Sequence, residues 1–91
     1  MGIEFNHTIV FSADKRQSAE FLSELFDLPS PTPFGHFLIV NLANGVSLDY
    51  MDLPDGIEFA GQHYAFLVSE NEFDTVYAKI RTRDIVHWAD P

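Results

Sequence analysis

A short β-branched and aromatic run followed by a helical stripe occurs twice along the chain. The first run, residues 6–12, contains His7 and is short enough for one strand. A helix is predicted to follow within residues 15–27, with Asp14 as its N-cap and Gln17 completing a capping-box pattern. The spacing of its apolar positions predicts one buried stripe, formed by Ala19, Phe21, Leu22, Leu25 and Phe26. The prolines that come next end the helix, because proline cannot donate a backbone hydrogen bond.

The middle of the chain predicts a β-hairpin. One strand runs from residue 34 or 37 to residue 42, and the next covers residues 46–51. Asn44-Gly45 lies between them, and this dipeptide accepts a positive φ at little cost. Residues 52–61 contain proline and glycine and are predicted to form a loop.

The second pattern begins with a predicted strand at residues 63–68. Ser69 then caps a second helix, and Glu72 completes another capping box. The predicted buried face of this helix consists of Phe73, Val76, Tyr77 and Ile80. A further strand is predicted to begin at Ile85 and to run toward the end of the chain.

The two patterns form an internal repeat. A constant offset places His7 on His63 and Asp14 on Glu70, so each copy has a leading histidine, a strand and a capped helix. We expect one domain over residues 1–91, with a first module at 6–52 and a second, shorter module at 63–91. The second module has no counterpart of the hairpin, so we expect either a fragment or a sheet completed by another chain. An open sheet edge recruits partners, which predicts a homodimer, with domain swapping as one way to form it.

Composition and charge restrict the class of partner. The chain has 91 residues, no cysteine and a net charge of −9, which excludes disulfides and makes nucleic acid or an anionic membrane surface a poor partner. No apolar run approaches the length of a membrane span, and no signal-peptide pattern is present, so we expect a cytoplasmic protein. A cation or a neutral, partly apolar small molecule is the partner that fits this charge.

Four segments carry a resemblance to a known family. They are Asn6-His7-Thr8-Ile9-Val10, Phe34-Gly35-His36-Phe37, Asn44-Gly45-Val46-Ser47-Leu48-Asp49 and His63-Tyr64-Ala65-Phe66-Leu67-Val68. Together they resemble the vicinal oxygen chelate superfamily, which includes glyoxalase I, bleomycin- and fosfomycin-resistance proteins and extradiol dioxygenases. The resemblance implies an α+β fold of paired β-α-β-β(-β) modules of glyoxalase/bleomycin-resistance type, here with the second module incomplete at its C-terminus. In that family the concave face of the paired modules holds a divalent metal.

The resemblance also implies site residues. His7 and His63 match the two leading histidines of the family, and Asp49 stands near a position where many members place a carboxylate. The fourth ligand, usually a glutamate near the end of the second module, has no counterpart. The alternative for each histidine is a packed or edge residue, and for Asp49 a solvated surface acid. His36 and His87 are expected at the surface or at strand edges.

Three aromatic residues are candidates for lining a substrate pocket, and packing in a core or an interface is the alternative role for each. They are Tyr50, Tyr64 and Trp88. The implied cofactor is one divalent metal (Zn, Fe, Ni or Mn), and a chain that binds no metal is the alternative.

Three functional hypotheses follow. One is a metal-dependent lyase or dioxygenase that acts on a small oxygen-chelating substrate, with the metal as Lewis acid. Another is a non-catalytic module of the drug-binding or resistance type, which needs no metal. A fragment that lacks a complete site is a third.

Overall fold

The computed structural model describes residues 2–88 and divides the chain between Gly61 and Gln62 into two compact units. The first unit contains the elements β1 (His7–Ser12), α1 (Lys15–Leu25), β2 (Thr32–Phe34), β3 (Phe37–Asn41) and β4 (Ser47–Asp52). The second contains α2 (Glu70–Thr82). The predicted α+β class is confirmed, and the first unit has the β-α-β-β-β order of a glyoxalase-type module.

The first unit forms a mixed sheet with the strand order β1-β4-β3-β2. β1 pairs in parallel with β4, while β4 with β3 and β3 with β2 pair in antiparallel fashion. The helix and the β2–β3 hairpin lie in sequence between β1 and β4, and this long connection allows the parallel pairing. The order places β1 at one edge of this sheet and β2 at the other.

The predicted hairpin at Asn44-Gly45 is confirmed as the β3–β4 connection. Gly45 has a φ of +81°, and its backbone N–H donates to the Leu42 carbonyl at 3.3 Å. Leu42 in turn donates to the Val46 carbonyl at 2.9 Å. Among the described residues Asn44 is not one of those with positive φ, so glycine alone provides the left-handed position of this turn.

The short strand β2 is not predicted by the sequence pattern. Pro33 lies within it and cannot donate to a sheet hydrogen bond. The strand order places β2 at the sheet edge, where a missing donor is tolerated. Gly35, with a φ of +59°, provides the tight turn from β2 to β3.

Helix α1 covers one face of this sheet and forms the core with it. The buried apolar side chains are Ala19, Leu25, Leu38, Val40, Leu48 and Tyr50. The buried face of α1 differs from the predicted stripe at two positions: Phe21, within the stripe, is 42% exposed, and Ser23, outside it, is buried. The helical stripe therefore contacts the sheet through small and aliphatic residues, and the bulky Phe21 lies at its margin.

Side chains from two elements cap the start of α1. Asp14 Oδ1 accepts from the Gln17 backbone N–H at 3.1 Å, as the sequence predicts. The Asp14 backbone N–H, however, donates to Ser12 Oγ at 3.1 Å. Asp52, at the end of β4, accepts from the Lys15 backbone N–H at 2.8 Å. These bonds tie the start of the helix to the ends of both β1 and β4.

The second unit is built around α2, and its predicted capping box is confirmed. Ser69 Oγ accepts from the Glu72 N–H at 3.1 Å, and Glu72 Oε1 accepts from the Ser69 N–H at 2.8 Å. Within residues 2–88, no helix is long and apolar enough to cross a membrane.

Other predictions for the second unit differ from the structure. Residues 63–68 and 85–88 have no regular secondary structure, and the continuation of the last predicted strand into 89–91 lies outside the described residues. A strand pattern becomes a strand only when a neighbouring strand supplies its hydrogen bonds, and the sheet described above does not include these segments. The predicted buried face of α2 is also wrong in part, since Phe73 is 58% and Tyr77 41% exposed.

Replacement of Leu48 by alanine tests the core. Leu48 is 5% exposed and lies beneath α1, so we expect Leu48→Ala to lower the free energy of unfolding by about 2–4 kcal/mol. Ile9→Ala on the other face of the sheet, where the side chain is 44% exposed, is the matched control and should cost about 1 kcal/mol or less. Urea unfolding of both variants makes the comparison, and equal losses would contradict the assignment of faces.

The capping box of α2 predicts a dependence on both sequence and pH. Ser69→Ala should destabilise α2 by about 1 kcal/mol, measured as faster amide exchange within the helix, whereas Ser30→Ala in an exposed loop should have no effect on it.

The pKa of Glu72 is held below its ordinary value, mainly by the hydrogen bond from the Ser69 backbone N–H and further by the Ser69 side chain. This contribution is therefore complete above the ordinary glutamate pKa of about 4.3 and is lost as the pH falls through the lower pKa of the folded state. Protection factors, which remove the intrinsic pH dependence of amide exchange, should therefore fall in α2 over this acid range, and unchanged protection would contradict the assignment.

Candidate metal and ligand face

The sheet face opposite α1 carries the side chains that the sequence marks for chemistry. We name it the His7 face, and its members alternate with the core residues along each strand. They are His7, Ile9 and Phe11 from β1, Ser47, Asp49 and Met51 from β4, and Phe37, Ile39 and Asn41 from β3. The strand register places them on one side, because Leu48 and Tyr50, their neighbours in sequence, are buried against α1.

Polarity changes along the His7 face. His7 pairs with Ser47, and Ser47 with Asn41, so one end of the face is polar. Asp49 lies in the next row, between Ile9 and Ile39.

Phe11 pairs with Met51 in the row beyond Asp49, and this end of the face is apolar. Phe37 continues it toward Phe34, with which it pairs. A ligand on this face would meet polar groups at one end and aromatic and aliphatic groups at the other.

The imidazole of His7 forms a hydrogen bond with the side chain of Asn6. His7 Nδ1 lies 2.6 Å from Asn6 Oδ1. An amide oxygen can only accept, so Nδ1 is the donor in this bond, and the tautomer is assigned from that bond. In the neutral imidazole, Nε2 then carries the lone pair and is the atom able to bind a metal or accept a proton.

Ser47 holds the carboxylate of Asp49. Ser47 Oγ donates to Asp49 Oδ1 at 2.7 Å, and Asp49 itself is half-buried between β1 and β3. The Ser47 backbone N–H also donates to the Asn6 carbonyl at 3.1 Å. The residues that contact His7 and Asp49 are therefore themselves joined across the β1–β4 pair.

The donors on the His7 face fit part of a metal site. Imidazole and carboxylate are both ligands for zinc, iron, nickel and manganese. The strand spacing and the rise per residue put the Cα atoms of His7 and Asp49 about 8 Å apart. A protein metal site of this kind takes three or four side-chain ligands. Within the part of the chain that the structure describes, no three His, Asp or Glu side chains lie close enough together to hold a metal ion. His7 and Asp49 thus supply two donors and not a complete set.

The remaining predicted site residues belong to the second unit or to the core of the first. His63 and Tyr64 belong to the second unit, where His63 is exposed and Tyr64 is 38% exposed; Trp88, also in that unit, is 79% exposed. Tyr50 is on the face opposite Asp49 and is 7% exposed, so it packs in the core beneath α1. The structure therefore brings His7 and Asp49 onto one face and does not bring Tyr50 to it.

The other two histidines make contacts of a structural kind. The backbone carbonyl of His36, in the β2–β3 turn, accepts from Lys15 Nζ at 2.9 Å. His87 Nδ1 donates to the Ile85 carbonyl at 2.8 Å, and its ring meets the edge of Tyr77 with centroids 5.5 Å apart. Both are exposed, as the sequence predicts.

Sequence reasoning does not single out Asn6 or Ser47 as functional residues. A usable signal was present for both. Ser47 precedes Asp49 by two residues in a predicted strand and so shares its face, and Asn6 is a hydrogen-bonding residue directly before His7.

Two solved structures are similar to the chain in both sequence and fold. The oxidase ChaP-H1 is 47% identical, with a TM-score of 0.91 over 99% of this chain and 71% of its own. The oxidase ChaP-H2 is also 47% identical, with a TM-score of 0.91 over 100% of this chain and 70% of its own. At this identity over nearly the whole chain, the likeness is one of family as well as fold.

Two more distant structures share the fold. A possible glyoxalase from Bacillus cereus matches with a TM-score of 0.67 at 21% identity, over 90% of this chain and 75% of its own. The fosfomycin resistance protein FosX from Listeria monocytogenes matches with a TM-score of 0.58 at 18% identity, over 99% of this chain and 71% of its own. Neither a protein-family model nor a curated protein matches the chain. The β-α-β-β-β unit with its leading histidine, the two ChaP relatives and the glyoxalase and fosfomycin-resistance folds together establish that the chain belongs to the vicinal oxygen chelate superfamily.

Proposed function

We propose that the chain is a metal-dependent oxidoreductase or lyase of this superfamily that acts on a small oxygen-chelating substrate at the His7 face. The observation that carries the proposal is the placement of His7 and Asp49 on the same sheet face, with a single tautomer of one and a fixed carboxylate of the other. The two most similar relatives described above are both named oxidases, and this favours oxidative chemistry over a purely hydrolytic or isomerising reaction.

Each residue has a role in the proposal. His7 Nε2 and the Asp49 carboxylate would hold a divalent ion, with His63 as the third ligand. A bound divalent ion would act as a Lewis acid for two adjacent substrate oxygens. The apolar end of the His7 face would bind the carbon skeleton of the substrate, since Phe11 offers exposed apolar surface there and Ile9 adds more in the row of Asp49. Tyr64 and Trp88 remain candidates for the pocket wall.

We also propose that the working form is a homodimer. β1 and β2 are the edges of the first unit's sheet, and the chain exposes large apolar side chains, Leu67, Val86 and Trp88 among them. A second copy would cover such surface and could supply His63 to the His7 face of its partner. Such sharing would add a third ligand to the two donors on the His7 face.

Metal binding tests the ligand assignment. The purified protein should bind Zn²⁺, Mn²⁺, Ni²⁺ or Fe²⁺ in isothermal titration. His7→Ala, Asp49→Ala and His63→Ala should each weaken binding by at least about tenfold, since each removes a ligand. His36→Ala and Asp55→Ala, which change an exposed histidine and an exposed aspartate, are matched controls and should leave affinity unchanged. Equal affinity in all five variants would contradict the ligand set.

Mixing two defective variants tests whether the site is shared between copies. His7→Ala and His63→Ala chains are unfolded together and refolded, so that some dimers contain one chain of each kind. If each site takes one histidine from each chain, one of the two sites in such a mixed dimer has both histidines. We expect about a quarter of the wild-type sites to return, because half of randomly formed dimers are mixed and each has one intact site. If both histidines come from one chain, no site returns, and a dimer-shared site is contradicted.

The mass in solution tests the dimer directly. Light scattering should give about twice the 10.3 kDa of one chain at tens of micromolar. Leu67→Asp places a charge on a fully exposed apolar position and should lower the dimer fraction, while Thr75→Asp on an exposed position of α2 serves as its control. A wild-type protein that stays monomeric at high concentration would contradict the dimer.

A non-catalytic binding module is the second candidate. The exposed apolar end of the His7 face favours it, because such surface binds an apolar ligand without a metal. Tight binding of an aromatic probe in the presence of a chelator, unaffected by His7→Ala, would support this candidate over the first.

A further inference from the structure

We infer that Asn6 and Ser47 are the positioning residues of the His7 face, Asn6 for the imidazole and Ser47 for the carboxylate. The inference rests on the proposed function, in which His7 and Asp49 are ligands. Neither residue is proposed to touch the metal or the substrate. They determine which atoms His7 and Asp49 present.

Asn6 acts on the tautomer of His7. With Asn6 Oδ1 accepting at 2.6 Å, the proton of neutral His7 is held on Nδ1. A free histidine prefers the other tautomer, with its proton on Nε2, which leaves the nitrogen farther from the backbone unable to bind a metal. The net strength of one hydrogen bond changes the ratio of the two tautomers by about threefold to tenfold.

Ser47 acts on the orientation of Asp49. Its hydroxyl donates to Oδ1 at 2.7 Å, so one carboxylate oxygen is engaged along the strand and Oδ2 is the oxygen that remains for a ligand. A hydrogen bond from an outer residue both orients a ligating carboxylate and fixes its rotamer. Ser47 and Asp49 lie on the same side of β4 because they are two residues apart.

The two positioning residues are linked by the fold. Ser47 donates its backbone N–H to the Asn6 carbonyl at 3.1 Å, and the parallel register places His7 opposite Ser47. Each side-chain hydrogen bond lies within one segment of the chain, and the register places the two pairs side by side. The sheet register therefore determines that the two positioned ligands are neighbours, while each positioning bond is local.

Nitrogen-15 NMR of the metal-free protein tests the role of Asn6. At a pH near 8, where histidine is neutral, long-range proton–nitrogen spectra report which ring nitrogen is protonated. We expect His7 to be protonated on Nδ1 and to shift toward the Nε2–H form by threefold or more in Asn6→Ala. Asn6→Asp, which keeps an accepting oxygen, should restore the wild-type tautomer. His87 is an internal control in the same spectra, because its Nδ1 donates to the Ile85 carbonyl and should not respond to either change.

Metal titration tests the role of Ser47. Ser47→Ala should weaken the affinity for Zn²⁺ or Mn²⁺ about 10- to 100-fold, and Ser47→Thr, which keeps the hydroxyl, should restore it. Ser30→Ala changes a serine in an exposed loop and should leave affinity unchanged. Circular dichroism of each variant separates these effects from a loss of folding.

The outcomes distinguish this inference from the proposed function. An Nε2–H tautomer of His7 in the wild type, or an Asn6→Ala spectrum equal to the wild type, overturns the role of Asn6 whether or not metal binds. Unchanged affinity in Ser47→Ala overturns the role of Ser47. A protein that binds no metal but shows the Nδ1–H tautomer and its loss in Asn6→Ala overturns the ligand role of His7 and supports the positioning by Asn6.

Discussion

The parallel pairing of β1 with β4 is the constraint on which the candidate site depends. Because His7 stands opposite Ser47 in this register, the even-numbered residues of both strands face α1 and the odd-numbered ones form the His7 face. A slip of one residue would send Asp49 into the core and Tyr50 to the ligand side. Burial of Leu48 and Tyr50 against α1 opposes that slip, so the apolar core that stabilises the unit also determines which residues are available for chemistry.

Short-range signals account for what the sequence predicts well. The caps at Asp14 and Ser69 and the hairpin at Asn44-Gly45 act over two to four residues, and the structure contains all three. They are local because each satisfies backbone groups of its own segment. The sharing of one face by Asp49, Ser47 and Met51 likewise follows from strand alternation alone.

Long-range pairing accounts for what the sequence does not predict. β2 escapes prediction because Pro33 argues against a strand except at an edge, and the edge position is known only from the strand order. Residues 63–68 have a strand pattern but no regular structure, because the pattern gives a preference and a neighbouring strand gives the hydrogen bonds. Tyr50 is a pocket candidate in the sequence with core packing as the alternative, and only the face covered by α1 places it in the core.

Manganese-induced broadening of backbone amide signals tests the central claim most directly, that the metal lies on the His7 face. Mn²⁺ added in substoichiometric amounts broadens signals near its binding site, and the acidic chain offers many weak alternatives elsewhere. We predict that the signals of His7, Ser47 and Asp49 broaden first, ahead of those of α1. Broadening confined to the acidic residues of α1, or spread evenly over the surface, would contradict a metal on the His7 face.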